Sequence, residues 1–220
     1  AGAGAARAAA VRRLSMSAAP QETALVLIEF QNDFCKPEGG LFGAVEGEMT
    51  RLNTIPNTVK LVEDARKAGV KIVHAPITFA DDYSDIPQNA FGILKGVQDG
   101  GVFKASAWGG QIIDELAPQA GDLVVEGKKG LDAYPGSNLK ALLEANGIKK
   151  VAVCGFLTNC CVESTMRTSY ENGFEVVTLP ESCCAMSEAE HKAAADGTFN
   201  FFSTPMENKA FIESVSGVAV

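Results

Sequence analysis

The chain has 220 residues, of which 46% are hydrophobic and 21% charged, and its formal net charge is −8. These values are typical of a soluble globular protein with one sizeable core. The acidic balance argues against nucleic acid as a partner, because phosphate binding needs clustered Lys and Arg. No apolar run approaches the ~20 residues of a membrane span. The six cysteines include two adjacent pairs, Cys160–Cys161 and Cys183–Cys184. Neighbouring cysteines rarely reach disulfide geometry, so reduced thiols in an intracellular compartment are expected.

Residues 1–20 differ in composition from the rest, because they are rich in Ala, carry three Arg and contain no acidic residue. This pattern is typical of an organelle transit peptide, and a disordered tail explains it equally well. Both interpretations stay open, and residues 21–220 are assigned to one domain. The expected location is a chloroplast or mitochondrion if residues 1–20 are a transit peptide, and the cytoplasm otherwise.

Short apolar runs alternate with segments of helical spacing along the rest of the chain. The runs predict strands over residues 23–30, 70–74, 122–126, 151–154, 174–179 and 201–204. The helical spacing predicts helices over residues 55–68, 137–146 and 161–171, and one from about residue 187. Residues 77–109 are polar and Gly-rich with no strong period, which favours a lid or binding loop. The alternation predicts an α/β fold, a three-layer α/β/α sandwich with a mostly parallel six-stranded sheet.

Chemically complementary residues lie at or just beyond the ends of three predicted strands: Glu29, Lys128 and Cys161. Ligands of parallel sheets bind at the carboxyl ends of the strands, so these side chains are expected to converge. A base, a cation and a thiol together suit the cleavage of an acyl bond. By spacing alone, Lys129 and Asp33 are equally eligible. Glu29 could also be a satisfied structural ion.

Two cysteines, Cys160 and Cys161, lie where a strand gives way to the first turn of a helix. The N–H groups and the positive dipole end at that place favour an anion and can lower the pKa of a thiol. The alternative interpretation is that both are small buried hydrophobic residues.

Several motifs in order carry a resemblance to a known family. They are ALVLIEFQNDF at residues 24–34, Gly39–Gly40, Trp108–Gly109, a lysine six residues before Tyr134, GSNL at 136–139 and GFLTNCCVEST at 155–165. With these motifs the chain resembles the isochorismatase-like cysteine hydrolase superfamily, in its metal-free amidohydrolase branch, over nearly all of residues 22–210. The resemblance implies a Rossmann-like sheet and hydrolysis of a C–N bond.

The resemblance also implies a role for each matching residue. Cys161 takes the place of the nucleophile, Lys128 that of the family lysine, and Glu29 that of the catalytic aspartate. The family's non-proline cis peptide falls at Phe156–Leu157, and the N–H groups of Leu157 and Cys161 form the oxyanion hole. Position 29 departs from the family pattern, because it holds Glu, which is one methylene longer than the usual Asp. Misplacement by ~1 Å can cost about 10²-fold in rate, so activity here could also be low or lost.

Four aromatic residues are candidates for substrate binding, although packing in the core explains them too: Phe30, Phe34, Trp108 and Tyr134. Nicotinamidases carry an Asp/His metal cluster after the second strand, and the region after His74 lacks it, so no metal and no cofactor are predicted. The expected partners are a small amide substrate and further copies of the chain in a homo-oligomer, with neither nucleic acid nor membrane.

Three functions follow from these observations. The first is a cysteine-dependent hydrolase that cleaves a small amide, ureido or carbamoyl compound through a thioester. The second is a catalytically impaired binding protein of the same fold, with Glu29 as the cause. The third is a thiol–redox protein that uses one of the adjacent cysteine pairs, although these lack the two-residue spacer of the usual redox motif.

Overall fold

A computed structural model describes residues 18–216 of the chain. Residues 1–17 therefore lie outside the described residues, and with them most of the segment interpreted as a transit peptide or disordered tail. No helix in the described part of the chain is long and apolar enough to cross a membrane.

The sheet has six strands within the described residues, and every pairing between neighbours is parallel. The strands are β1 Thr23–Ile28, β2 Lys71–Ala75, β3 Leu123–Val124, β4 Lys150–Phe156, β5 Glu175–Cys184 and β6 Thr204–Pro205. Their order across the sheet is β3-β2-β1-β4-β5-β6. All residues of β1 and β4 are buried, as expected for central strands covered on both faces.

Nine α-helices occur between residues 18 and 216. They are α1 Asn32–Cys35, α2 Phe42–Arg51, α3 Thr54–Ala68, α4 Gly92–Gly100, α5 Leu139–Ala145, α6 Glu163–Glu171, α7 Glu188–Lys192, α8 Phe199–Phe202 and α9 Asn208–Ser216. Two π-helical turns, Thr158–Val162 and Ala193–Thr198, lead into α6 and α8.

The helices cover the two faces of the sheet. Right-handed crossovers place α3, between β1 and β2, on one face and α6, between β4 and β5, on the other. Helix α3 packs on β2, β5 and α9, whereas α6 packs on β4, β5 and α8. The predicted three-layer sandwich is confirmed, with a sheet that is parallel throughout.

The chain reverses its direction across the sheet between β1 and β4. After β1 it builds β2 and β3 on one side, and β4, β5 and β6 then extend the other side. Such a switch point opens a crevice at the carboxyl ends of the two central strands, where α/β proteins bind ligands.

Several sequence predictions need correction. Residues 42–51, 92–100 and 208–216 form helices α2, α4 and α9 that were not predicted, and α4 lies inside the segment expected to be a loop. Its glycines at 92, 96 and 100 weaken the helical signal, which burial of the apolar face overrides. The strand predicted at 201–204 is reduced to Thr204–Pro205, because α8 continues through Phe202, whose ring packs edge-on against Tyr170 at 5.6 Å.

Candidate active site

Glu29 follows β1 directly and lies at the switch point. Its φ of 57° is left-handed, an uncommon conformation for Glu, and its N–H donates to the carbonyl of Ala75 at 3.2 Å. This turn ends the strand while β2 still holds the backbone. The side chain is 2% exposed, so its carboxylate needs a partner within the protein.

Lys128 supplies that partner. It follows β3 in the chain, is 1% exposed, and its Nζ donates to Glu29 Oε1 and to the carbonyl of Gly130 at 2.7 Å. The other eligible lysine points away, because Lys129 Nζ bonds the carbonyl of Thr78 at 2.6 Å and pairs with Asp85 at 2.7 Å. The geometry therefore pairs Glu29 with Lys128 and not with Lys129.

Asp33, the other acid considered, is used for backbone contacts. Its Oδ2 accepts from Phe103 N at 2.7 Å and its Oδ1 from Gly40 N at 3.1 Å. A Cβ on Gly109 would come within 2.3 Å of the Asp33 Oδ1 atom, so a glycine is required there. Asp33 thus holds the backbone segments at Gly40 and Phe103 together beside the site.

Cys161 lies in the π-helical turn that follows β4. The strand reaches this turn through Gly155, whose φ is 128° and whose added Cβ would come within 2.0 Å of the Ile28 carbonyl oxygen. Only glycine therefore lets the end of β4 approach β1 this closely. The Phe156–Leu157 peptide bond, at the end of β4, is cis.

The ionisable groups of the site shift one another's pKa values. Burial raises the pKa of Glu29, while the charge of Lys128 and hydrogen bonds from Lys128 and the Cys161 thiol lower it, with a net rise. The hydrogen bond with Cys160, burial and the Glu29 charge raise the pKa of Cys161 well above its usual range, although Lys128 lowers it. The same hydrogen bond lowers the pKa of the half-buried Cys160. Cys161 therefore holds its proton more tightly than a free cysteine, and its thiol hydrogen-bonds to Glu29.

Glu29 and Cys161 face one cavity of about 190 Å³. The rest of its wall is apolar and comes from the loops after the strands and from helix α4: Phe34, Leu41, Ile77, Ile93, Leu94, Gly96, Val97, Phe103, Leu131, Leu157 and Met186. Of these wall residues, only Phe34 and Leu157 were named as candidates from the sequence. The spacing of Ile93, Leu94 and Val97 on one helical face is a signal that could have found three of them.

The four aromatic residues proposed for substrate binding have different places. Phe34 lines the cavity and stacks on Phe156 with ring centroids 5.2 Å apart. Phe30 is buried and packs edge-on against Phe156 at 5.3 Å, outside the cavity wall. Trp108 is 47% exposed, and the Tyr134 hydroxyl pairs with Ser169 Oγ at 2.9 Å; neither lines the cavity.

Neither histidine approaches the cavity wall. His74 Nε2 lies 3.1 Å from Asp122, and burial lowers its pKa. His191 Nδ1 lies 3.0 Å from the hydroxyl of Thr158, at the base of the π-helical turn. Within residues 18–216, the His, Cys, Asp and Glu side chains form no group of three or more that could hold a metal ion.

Comparison with known proteins places this site in context. The model of the isochorismatase domain matches residues 23–210. The ureidoacrylate amidohydrolase RutB of Azorhizobium caulinodans is 30% identical over 202 residues, which cover 85% of this chain and 87% of that protein.

Two solved structures share the fold. A cysteine hydrolase from Pseudomonas syringae pv. phaseolicola superposes with a TM-score of 0.80 at 22% identity, covering 91% of this chain and 95% of the other. N-carbamoylsarcosine amidase from Thermoplasma acidophilum superposes with a TM-score of 0.68 at 24% identity, covering 85% and 96%.

Proposed function

The chain belongs to the isochorismatase family, and from this premise we propose that it is an amidohydrolase that cleaves the C–N bond of a small amide, ureido or carbamoyl compound through a Cys161 thioester. One observation carries the proposal: a buried acid–lysine pair and a thiol meet at one small cavity at the switch point of the sheet. The names of relatives agree with it, since both a ureidoacrylate amidohydrolase and a carbamoylsarcosine amidase break C–N bonds.

The first half of the reaction forms the thioester. Glu29 accepts the proton of the Cys161 thiol as the sulfur attacks the carbonyl carbon of the substrate. The negative charge that develops on the carbonyl oxygen is held by the N–H groups of Leu157 and Cys161. Glu29 then gives its proton to the leaving nitrogen, and ammonia or an amine departs as the C–N bond breaks.

The second half hydrolyses the thioester. Glu29, again ionised, takes a proton from a water molecule that attacks the thioester carbon, and the Cys161 sulfur leaves and is reprotonated. Lys128 acts throughout through charge, because it favours the ionised form of Glu29 and offsets the negative charge on sulfur. Without this cation the buried carboxylate would bind its proton too tightly to serve as a base.

The length of Glu29 does not by itself argue for a silent site, because its carboxylate reaches Lys128 and faces the same cavity as Cys161. A thiol–redox role for Cys183–Cys184 finds no support, since both are buried and burial raises the pKa of each to about 12. By family resemblance we also propose a homo-oligomer, which light scattering coupled to size exclusion measures directly.

The test is ammonia release from a panel of small amides and ureides by the wild type, Cys161→Ala and Cys160→Ala. Cys160 is the matched control, because it is the adjacent thiol and does not line the cavity. We expect Cys161→Ala to lose at least about 10³-fold in kcat/KM and Cys160→Ala to keep activity within about tenfold. Activity that survives in Cys161→Ala would refute the thioester, and silence of the wild type on every compound would favour a binding protein.

A further inference from the structure

Within residues 18–216, no cationic side chain lines the cavity at Cys161. Within the described residues its wall contains thirteen side chains or glycines, and none is Arg, Lys or His. Glu29 is the only carboxylate among them, and its charge faces the reacting centre. The side chains that a bound molecule meets in this wall are therefore one acid, one thiol, the Met186 thioether and otherwise hydrocarbon.

The cations near the cavity are engaged elsewhere. Lys128 lies behind Glu29 and directs its Nζ at that carboxylate and at the Gly130 carbonyl. Lys129 pairs with Asp85, and Lys95 on helix α4 pairs with Asp99 at the protein surface. Lys104, which follows the wall residue Phe103, lies over the Tyr83 ring with its Nζ 5.4 Å from the ring centroid. A carboxylate brought by a substrate would thus enter an apolar wall that offers it no cation among the described residues, and it would lie beside a carboxylate of its own sign.

That arrangement discriminates strongly by charge. Moving a carboxylate from water into apolar surroundings is costly unless a cation or several hydrogen bonds replace its hydration. The penalty applies to the bound substrate and to the transition state alike, so it lowers kcat/KM. An uncharged group of the same shape gains contact with Phe34, Phe103 and Val97 instead.

Resting on the amidohydrolase function proposed above, we propose that the substrate is an uncharged primary amide or urea with a small apolar substituent, and not an amide that carries a carboxylate. The volume supports a small substituent, because about 190 Å³ lies below the ~300–1,000 Å³ of pockets for drug-sized ligands. The relative from Azorhizobium is named for ureidoacrylate, which is itself a carboxylate. This chain then differs from that relative in the charge of its substrate.

Isosteric pairs of compounds test the proposal. Succinamate and 4-methylpentanamide differ only in whether a carboxylate or an isopropyl group ends the same two-methylene chain; 3-ureidopropionate and isopentylurea form the matching ureido pair. We expect kcat/KM for ammonia release to favour the neutral member of a pair by about 100-fold or more. A preference for the carboxylate, or equal rates, overturns the substrate class while the hydrolase stands. If neither pair is hydrolysed and no compound of the wider panel releases ammonia, the result counts against the proposed hydrolase function itself.

A charge placed in the wall gives a second test. Ile93 is 41% exposed at the cavity mouth on helix α4, so a longer side chain can be accommodated without burial of its polar end. Ile93→Arg is expected to raise the ratio of succinamate to 4-methylpentanamide turnover at least about tenfold, and Ile93→Gln, the uncharged control, to change it less than about threefold. An equal change in both variants would overturn charge as the basis of selection. Circular dichroism confirms that each variant is folded.

Discussion

The length of the Glu29 side chain sets where its carboxylate meets both Lys128 and Cys161. Glu29→Asp withdraws the carboxylate by one C–C bond, about 1.5 Å. Lys128 cannot follow fully, because it is buried and also held by the Gly130 carbonyl at 2.7 Å. Since misplacement by ~1 Å costs about 10²-fold, we expect kcat/KM to fall on the order of 10²-fold, or about 2.7 kcal/mol of transition-state stabilisation.

Folding should respond much less than catalysis to this change. The lost methylene group removes about 0.8 kcal/mol of buried apolar contact. Asp tolerates the left-handed backbone better than Glu, which offsets part of that loss at φ 57°. The longer and weaker pair with the buried Lys128 adds to the loss, so Tm should fall by several °C while the protein stays folded at the assay temperature. A large effect on rate in a protein that stays folded separates the position of the base from the integrity of the fold.

The assay is initial-rate ammonia release, with thermal unfolding measured on the same preparations. Glu29→Gln is the matched control, because it keeps the length of the side chain and removes the base, and it should be less active than Glu29→Asp. Wild-type rates in Glu29→Asp would refute the reasoning, since catalysis would then not depend on the position in which the longer Glu side chain holds the carboxylate. A faster Glu29→Asp would mean that Glu impairs the site, as the departure from the family pattern also allowed.

Two further predictions concern the neighbours of Glu29. Burial raises the pKa of Glu29 and Lys128 lowers it, so Lys128→Met should raise that pKa further and move the acid limb of the kcat/KM–pH profile to higher pH; an unmoved limb would exclude Glu29 as the titrating base. Gly155→Ala forces a Cβ within 2.0 Å of the Ile28 carbonyl oxygen at a φ of 128°, so the free energy of unfolding should fall by about 3 kcal/mol or more, read from urea denaturation. An unchanged midpoint would show that β1 and β4 separate without cost.

The candidate site could be predicted from sequence to the extent that it follows from the ends of the strands. Two nearly continuous apolar runs identified β1 and β4, and a parallel sheet brings their carboxyl ends together. Spacing left Lys128 and Lys129 equally eligible, and only the fold shows that Lys129 turns to Asp85. The family spacing to Tyr134 favoured Lys128, and the fold gives the physical reason, because the chain leaves β3 with Lys128 directed at Glu29.

The residues that form the wall of the cavity were much harder to predict. Helix α4 is difficult to predict from sequence, because the glycines at 92, 96 and 100 each lower helix propensity by about 1 kcal/mol relative to Ala. Tertiary burial of its apolar face supplies what propensity lacks. Trp108 was a reasonable candidate by type, but its backbone carbonyl is what the fold uses, as the acceptor for Asn32 Nδ2 at 2.8 Å.

The proposed reacting groups and the wall of the cavity thus belong to different parts of the molecule. Glu29, Lys128 and Cys161 are held by the ends of the strands and by close backbone contacts that tolerate little change. Helix α4 contributes four cavity residues, and its weak intrinsic propensity makes its conformation depend on the contacts it makes. Substitutions on α4 should therefore change which amide is accepted while the three reacting groups keep their geometry. Ile93→Arg tests this independence most directly, because the substitution changes the wall of the cavity and leaves the sheet unchanged.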